Sequence, residues 1–414
     1  AMRLLSALLL VAALVTPAAA ETVLIRDGRV VTNSAAGTIE NGDVLIVDSR
    51  ISAVGNSITA PRGARIVEAQ GRFVTPGAFA AMSALGLSEI NGSGAPDDAS
   101  VEGELIAAAA DAGRAFNPDV TAIAITRMEG VTRAAIAPSS TATMFGGRGA
   151  LVSLNGDPDS VFLQRAFMLV ELGETGASRT GSSRAAVWPA FEVALRDARE
   201  YPGRYRSGQG GAVLNEIDAA ALQPFVRGQG LLVVHVESAA DIRRLIRFKR
   251  ENPSLRIAIQ GGGEGWQVAD ELAAARIPVI LDSLLTNLPQ SFELLSARLD
   301  NAALLHEAGV QIAIAPSAGD AQQARLVLQL AGNAVANGLP WDAAFAAISR
   351  TPAEIFGAAN IGRLERNYLA DVVIWDGDPL EVQSAPTAVF IEGVEQPLVS
   401  RQTRLRDRYN PVRR

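Results

Sequence analysis

Two kinds of hydrophobic pattern divide the chain. Near its start, short apolar runs at Thr22–Ile25, Arg29–Thr32, Asp43–Val47 and Ile51–Val54 lie between turn signals at Asp27-Gly28, Asn41-Gly42 and Asp48-Ser49-Arg50. Such runs between Gly/Asn/Asp turns predict strands. Ile66–Val67 and Arg72–Val74 continue the series, and the same patterning returns in Ala370–Trp375 and Ala388–Ile391, with turns at Asp376-Gly377 and Glu392-Gly393. Between the two ends the period changes. Val131–Ala137, Leu231–Val236, Arg256–Ile259, Val279–Leu281 and Val310–Ala315 are short, mostly apolar runs, as parallel strands buried on both faces require. Amphipathic, alanine-rich helices are predicted between several of them, at Ala240–Glu251, Glu264–Ala275, Ala321–Asn337 and Trp341–Ser349.

Alternating strands and helices over this length predict either a (β/α)8 TIM barrel or a doubly wound sheet. The bracketing strands favour the barrel, an α/β fold with a small composite β-sandwich domain formed from both chain ends. The expected boundaries are 21–76 and 364–400 for the two parts of the β domain and 77–363 for the barrel, with an Arg-rich tail at 401–414. Arg401, Arg404, Arg406, Arg408, Arg413 and Arg414 fall in that tail, which reads as a solvated segment or as a docking segment for an acidic partner.

Residues 1–20 have a different character. Arg3, the apolar run Leu4–Val15 and the small residues Ala18-Ala19-Ala20 form the pattern of a secretory signal peptide. The run is shorter than the roughly 20 residues that span a bilayer, and no later run reaches that length. The expectation is a soluble exported protein, periplasmic, without a membrane anchor, whose mature chain starts near Glu21.

Composition then narrows the chemistry. Of 414 residues, 48% are hydrophobic and 20% charged, ordinary values for a globular protein. A net charge of -7 argues against a nucleic-acid partner. The chain has no cysteine, two histidines and a single lysine, Lys249. Thiolate zinc sites, iron–sulfur clusters and cysteine nucleophiles are therefore excluded, and little remains for a histidine-rich metal site.

Several stretches resemble a known family. VLIRDGRVVT (Val23–Thr32), GDVLIVDSRISAVG (Gly42–Gly55) and GRFVTPG (Gly71–Gly77) are similar to the N-terminal part of the amidohydrolase superfamily. LADVVIWDGDP (Leu369–Pro379) and AVFIEGVE (Ala388–Glu395) resemble its C-terminal return to the β domain. EGVTRAAIAPSS (Glu129–Ser140), GGRGALVSLNG (Gly146–Gly156) and ADIRRLIRF (Ala240–Phe248) resemble its imidazolonepropionase-like branch. The resemblance implies a barrel hydrolase of C–N bonds with one or two divalent ions, such as zinc, at the C-terminal mouth. The ligands it implies are a His-x-His pair after the first barrel strand, one His each after the fifth and sixth, and an Asp after the eighth, often with a carboxylated Lys.

At the matching positions this sequence carries Met82 and Ala84, then His235, then Gln260 or Gly261, then Ser317, and Lys249 falls on the helix after the fifth strand. A catalytic zinc site needs about three protein N, S or O donors. One imidazole, a thioether and a hydroxyl do not supply them, so the expectation is a degenerate member with no metal cofactor.

The remaining candidates carry alternative readings. His235 reads as a surviving general base or as a hydrogen-bonded remnant at the barrel mouth. His306 reads as a helix-end residue. Glu237 should face the same side as His235 if the strand continues, and with Asp282 it could form a carboxylate pair of the kind glycoside hydrolysis uses. Ser317 lacks the strained turn of an activated serine nucleophile. Gly261-Gly262-Gly263 could offer amides to a phosphate, but Glu264 would already occupy the positive helix end, and a tight turn fits better. The run Gly208-Gln209-Gly210-Gly211 reads as a surface connection or lid.

The leading expectation is a pseudoenzyme that pairs with an intact amidohydrolase paralogue, forms a homo-oligomer, or binds a small molecule at the old mouth through Met82, Ala84, Glu237, Gln260, Glu264 and Ser317. The alternative is an active hydrolase of amide or cyclic amide bonds. It would use His235 with Glu237 or Glu264, without metal or with a ligand supplied across an oligomer interface.

Overall fold

A computed structural model describes residues 21–89, 97–103, 105–206, 211–282, 291–316 and 321–410. The N-terminal leader pattern, the run at 208–210 and Ser317 lie outside the described residues. Among those described, no helix is long and apolar enough to cross a membrane.

Eight strands form the barrel sheet. In spatial order they are Ala78–Ser83, Val131–Ile136, Phe145–Ser153, Val161–Glu171, Leu231–Val236, Arg256–Gly261, Val279–Leu281 and Ile312–Ile314. The first and eighth lie beside each other, so the sheet curls into a nearly closed barrel. Side chains alternate across it with the two-residue period of a strand. On the fifth strand Leu232, Val234 and Val236 pack outward among the helices, while Leu231 and Val233 face inward. The interior row contains Phe79, Phe167, Ala258, Ile280 and Ala313. Phe356, from the helix Arg350–Phe356, packs against Phe167 with ring centroids 4.9 Å apart.

The third strand departs from the alternating plan: Phe145–Ser153 runs antiparallel to both neighbours. It pairs with Val161–Glu171 as a hairpin in place of a strand–helix–strand crossover. The sequence permits this because Gly149 faces Phe167, where a Cβ would come within 2.1 Å of the ring. Removing that side chain lets the aromatic ring fill the barrel interior. Two predicted helices also begin differently. The segments from Glu264 and from Ala321 open as 3₁₀ turns, Gly265–Val268 and Ala321–Leu326, before α-helix follows at Ala269–Ala275 and Val327–Ala336.

Strands from both chain ends share one sheet, in the order Val394–Glu395, Pro386–Ile391, Val372–Trp375, Phe73–Pro76, Val23–Val31, Thr38–Val47 and Arg50–Gly55. Arg65–Glu68 also pairs with Val23–Val31. The turn signals at Asp27-Gly28 and Asn41-Gly42 are not chain reversals. Gly28 lies opposite Gly42 within one continuous strand pair, with register shifts on either side. Asp27 and Asn41 both adopt positive φ, so the pair forms a bulge that bends the strands. The first half of Val23–Val31 then pairs with Arg65–Glu68 and the second with Phe73–Pro76. This bend gathers Ile25, Val30, Ile46, Val74, Val372 and Phe390 into one core.

Barrel and sheet are joined by a buried ion pair. Arg133, on the second barrel strand and 1% exposed, donates from Nε and Nη2 to the two carboxylate oxygens of Asp371 at 2.6 and 2.9 Å. It also reaches Glu392 at 2.9 Å. A fork of two parallel bonds matches guanidinium to carboxylate geometry and fixes orientation as well as charge.

Candidate functional site at the barrel mouth

The inward positions at the carboxyl ends of the fourth to seventh strands carry the polar groups. Glu171 ends the fourth strand and His235 is its register partner on the fifth. Gln260 is in turn the partner of His235 on the sixth. Lateral neighbours in a parallel sheet point to the same side, so these three side chains meet at the mouth.

His235 lies between two carboxylates. Its Nδ1 donates to Glu171 Oε2 at 2.6 Å and its Nε2 to Glu237 Oε1 at 3.3 Å. Burial opposes a charged imidazole. The charge and hydrogen bond of Glu171, the bond to Glu237 and the charge of Asp282 outweigh it and hold the His235 pKa well above 6.5. Burial likewise opposes the Glu171 carboxylate, but His235 and then Arg179 bring its pKa below 4.5. Arg179 Nη1 stands 3.7 Å from Glu171 Oε1. Both shifts favour the imidazolium–carboxylate form of the pair.

The glycine run does not cradle an external phosphate. Gly263 N donates to Glu237 Oε2 at 2.7 Å, so the amide serves the protein's own carboxylate. Gly261 has φ +90, and a Cβ there would stand 2.6 Å from Glu237 Oε1. Both conditions call for glycine. Glu264 does not neutralise the start of its own helical segment, where it makes no side-chain cap. Its carboxylate accepts instead from Ala239 N at 3.0 Å, at the first turn of the helix Ala239–Glu251, and from Ser296 N at 3.3 Å. Asn301 braces this turn, donating to Gly262 O at 2.9 Å.

Met82 is 1% exposed and belongs to the apolar interior with Phe79 and Phe167; Ala84 is also buried. Gln260 is 5% exposed and donates to Asp282 Oδ2 at 3.0 Å. Its Oε1 is buried without a hydrogen-bond partner among the described residues. Glu237 and Asp282 both face His235, yet Glu237 is already engaged through both oxygens. His306 is exposed near the end of the helix Asn301–Glu307, and Lys249 is tied to the carbonyls of Pro253 and Leu255, away from the mouth.

Sequence reasoning missed Glu171 and Arg179. It also missed the acidic support behind them, where Arg184 bridges Glu293 and Asp241 and Glu174 N donates to Glu293 at 2.8 Å. Among the described residues, no three or more His, Asp or Glu side chains are arranged to hold a metal ion.

An eight-stranded barrel with a sheet built from both chain ends, and with its polar groups gathered at the strand ends, defines a TIM-barrel architecture with an added β domain. The sequence model of the Amidohydrolase family matches residues 265–400. The amidohydrolase tasK of Hapsidospora irregularis is 26% identical over 408 residues, which cover 86% of this chain but only 40% of that protein. The crystal structure of an amidohydrolase from Thermotoga maritima MSB8 superposes with a TM-score of 0.78 at 24% identity, over 90% of this chain and 99% of that one. Molinate hydrolase gives a TM-score of 0.57 at 16% identity, over 92% and 95%. Residues 265–400 thus resemble the Amidohydrolase family, and the chain shares the fold of a solved amidohydrolase.

Proposed function

We propose that this chain is a non-catalytic member of the amidohydrolase superfamily whose barrel mouth binds a small ligand, and that it works in the periplasm. The observation that carries this reading is the double engagement of His235. With Nδ1 donating to Glu171 and Nε2 donating to Glu237, neither ring nitrogen offers a lone pair to an ion. Zinc asks for about four donors at roughly 2.0–2.3 Å, and buried Met82 and Ala84 add no oxygen or nitrogen. Among the described residues, the mouth does not offer the donors that zinc requires. The orphaned Gln260 Oε1 marks where a ligand N–H would be received, because a buried acceptor without a partner is costly to leave empty. The N-terminal leader pattern supports export.

Elemental analysis of purified chain, loaded with zinc and then dialysed, is expected to find well under one ion per chain. Stoichiometric zinc that disappears in His235→Ala would overturn the reading. Copurification with an amidohydrolase carrying an intact His-x-His pair would redirect it from ligand binding to a partner-subunit role. A second reading draws on the 2.6 Å bond to Glu171, which orients His235 as a general acid for metal-free hydrolysis of cyclic amides. Turnover of such a substrate that is lost in His235→Gln would favour it.

A further inference from the structure

A second polar pocket, of about 420 Å³, shares no residue with the barrel mouth. It lies where the start of the helix Thr121–Met128 and the turn at Asn155 meet the C-terminal helix Arg401–Tyr409. Three arginines line it: Arg127, Arg401 and Arg404. None of these three has a carboxylate within 4.0 Å among the described residues.

Arg127 is the informative member. It is 8% exposed, one Nη donates to Leu154 O at 2.8 Å, and its Nε is buried without a hydrogen-bond partner among the described residues. A guanidinium stays protonated in proteins, so this is a buried positive charge with no counter-charge within 4.0 Å among the described residues. Burial lowers its pKa with no compensating carboxylate. Such a group is costly unless something negative completes it. Arg401 and Arg404 extend the positive wall from an exposed helix that Ser400 and Thr403 cap reciprocally. Asp119, exposed at the rim, is the one acidic lining residue, leaving the lining with an excess of positive charge.

We propose that this pocket binds a small oxyanion, a phosphate-bearing or dicarboxylate molecule, with Arg127 as the buried anchor and Arg401 and Arg404 as the outer clamp. The C-terminal helix then acts as one wall of a ligand site, giving a role to the arginine-rich end of the chain that the barrel mouth does not provide. Planar N–H forks suit either anion, and the two sources are separated by titrating each alone.

Isothermal titration calorimetry of the purified chain with inorganic phosphate, and separately with succinate, in low-salt buffer tests this. One of the two is expected to bind saturably near one per chain, and to weaken as salt is added. Arg127→Met is expected to weaken binding by about tenfold or more, the scale of a lost charge-assisted hydrogen bond. Because a buried substitution could unfold the chain, Arg401→Gln/Arg404→Gln provides the second arm on exposed positions. It should retain the wild-type circular dichroism spectrum while binding more weakly. Saturable binding of neither anion below about 10 mM, or wild-type affinity in the Arg401→Gln/Arg404→Gln chain, would overturn the proposal.

Discussion

His235 and Glu171 stand opposite each other in parallel register on the fifth and fourth barrel strands, and their side chains close a 2.6 Å hydrogen bond at the mouth. A third group, Glu237, takes the other ring nitrogen. The charges of His235 and Glu171 therefore depend on each other.

The first consequence is a pH window. His235 has a folded pKa well above 6.5, so the stability it contributes is fully present below its unfolded value and is lost as pH rises through the raised folded one. Glu171 has a folded pKa below 4.5; its contribution is present above the unfolded value and is lost as pH falls through the lowered one. For this pair, chemical denaturation across pH should show a plateau between about pH 4.5 and pH 6.5, with stability falling as pH rises above it and as pH drops below it. An NMR titration in which the His235 ring loses its proton near 6.5 would refute the assignment.

The second consequence concerns removal of the cation. His235→Gln leaves Glu171 and Glu237 facing each other without the positive charge between them. Breaking a largely buried pair by deleting one partner costs about 3–5 kcal/mol. Equilibrium unfolding in urea should show a loss of that order, and the double variant Glu171→Gln/His235→Gln should recover part of it. A single variant as stable as wild type would remove the case for a charged cluster.

How much of this could be read from the sequence depends on whether a feature is local. The strand runs at both ends and the alternating middle follow from period and turn residues, and so does the inward placement of His235 and Glu237. Glu171 does not. It ends a strand with the sequence VFLQRAFMLVE, and nothing local shows that its neighbour across the sheet is His235, because register is a long-range property. The third strand is hidden for a related reason: the glycines of FGGRGALVS give no strand pattern until Phe167 is seen to need the space over Gly149. Asp27-Gly28 and Asn41-Gly42 are good turn dipeptides, but the two strands lie opposite each other and convert them into a bulge. Glu264 lies in the loop its sequence predicts but caps a different helix, since it is the fold that brings Ala239 N within 3.0 Å.

Arg133 and Asp371 give a third test, far from the mouth in chemistry though on the same barrel. Both are under 5% exposed, and their double hydrogen bond ties the second barrel strand to the β domain. Asp371→Asn removes the charge while keeping the shape, so Arg133 keeps only Glu392 as an anionic partner. A loss of about 3–5 kcal/mol is expected, measured as a lower urea midpoint. Limited proteolysis should then cut earlier at the junction between sheet and barrel.

The last test asks whether the glycine loop exists to hold Glu237. At Gly261 the backbone has φ +90, and a Cβ would sit 2.6 Å from Glu237 Oε1. Gly261→Ala therefore imposes both backbone strain, of order 1–3 kcal/mol, and a collision with the carboxylate that bonds His235. Val236 and Gly261 pair at the end of the sheet, so the backbone has little room to yield, and the carboxylate is the part that moves. Displacing it weakens the Nε2 bond while leaving the Nδ1 bond to Glu171 in place. The NMR-detected His235 pKa should fall from its wild-type value while staying above 6.5, because Glu171 is the larger source of the upward shift. A His235 pKa unchanged in Gly261→Ala would mean that Glu237 plays no part in holding the proton. Global stability alone could not reveal this, since strain would lower it in either case.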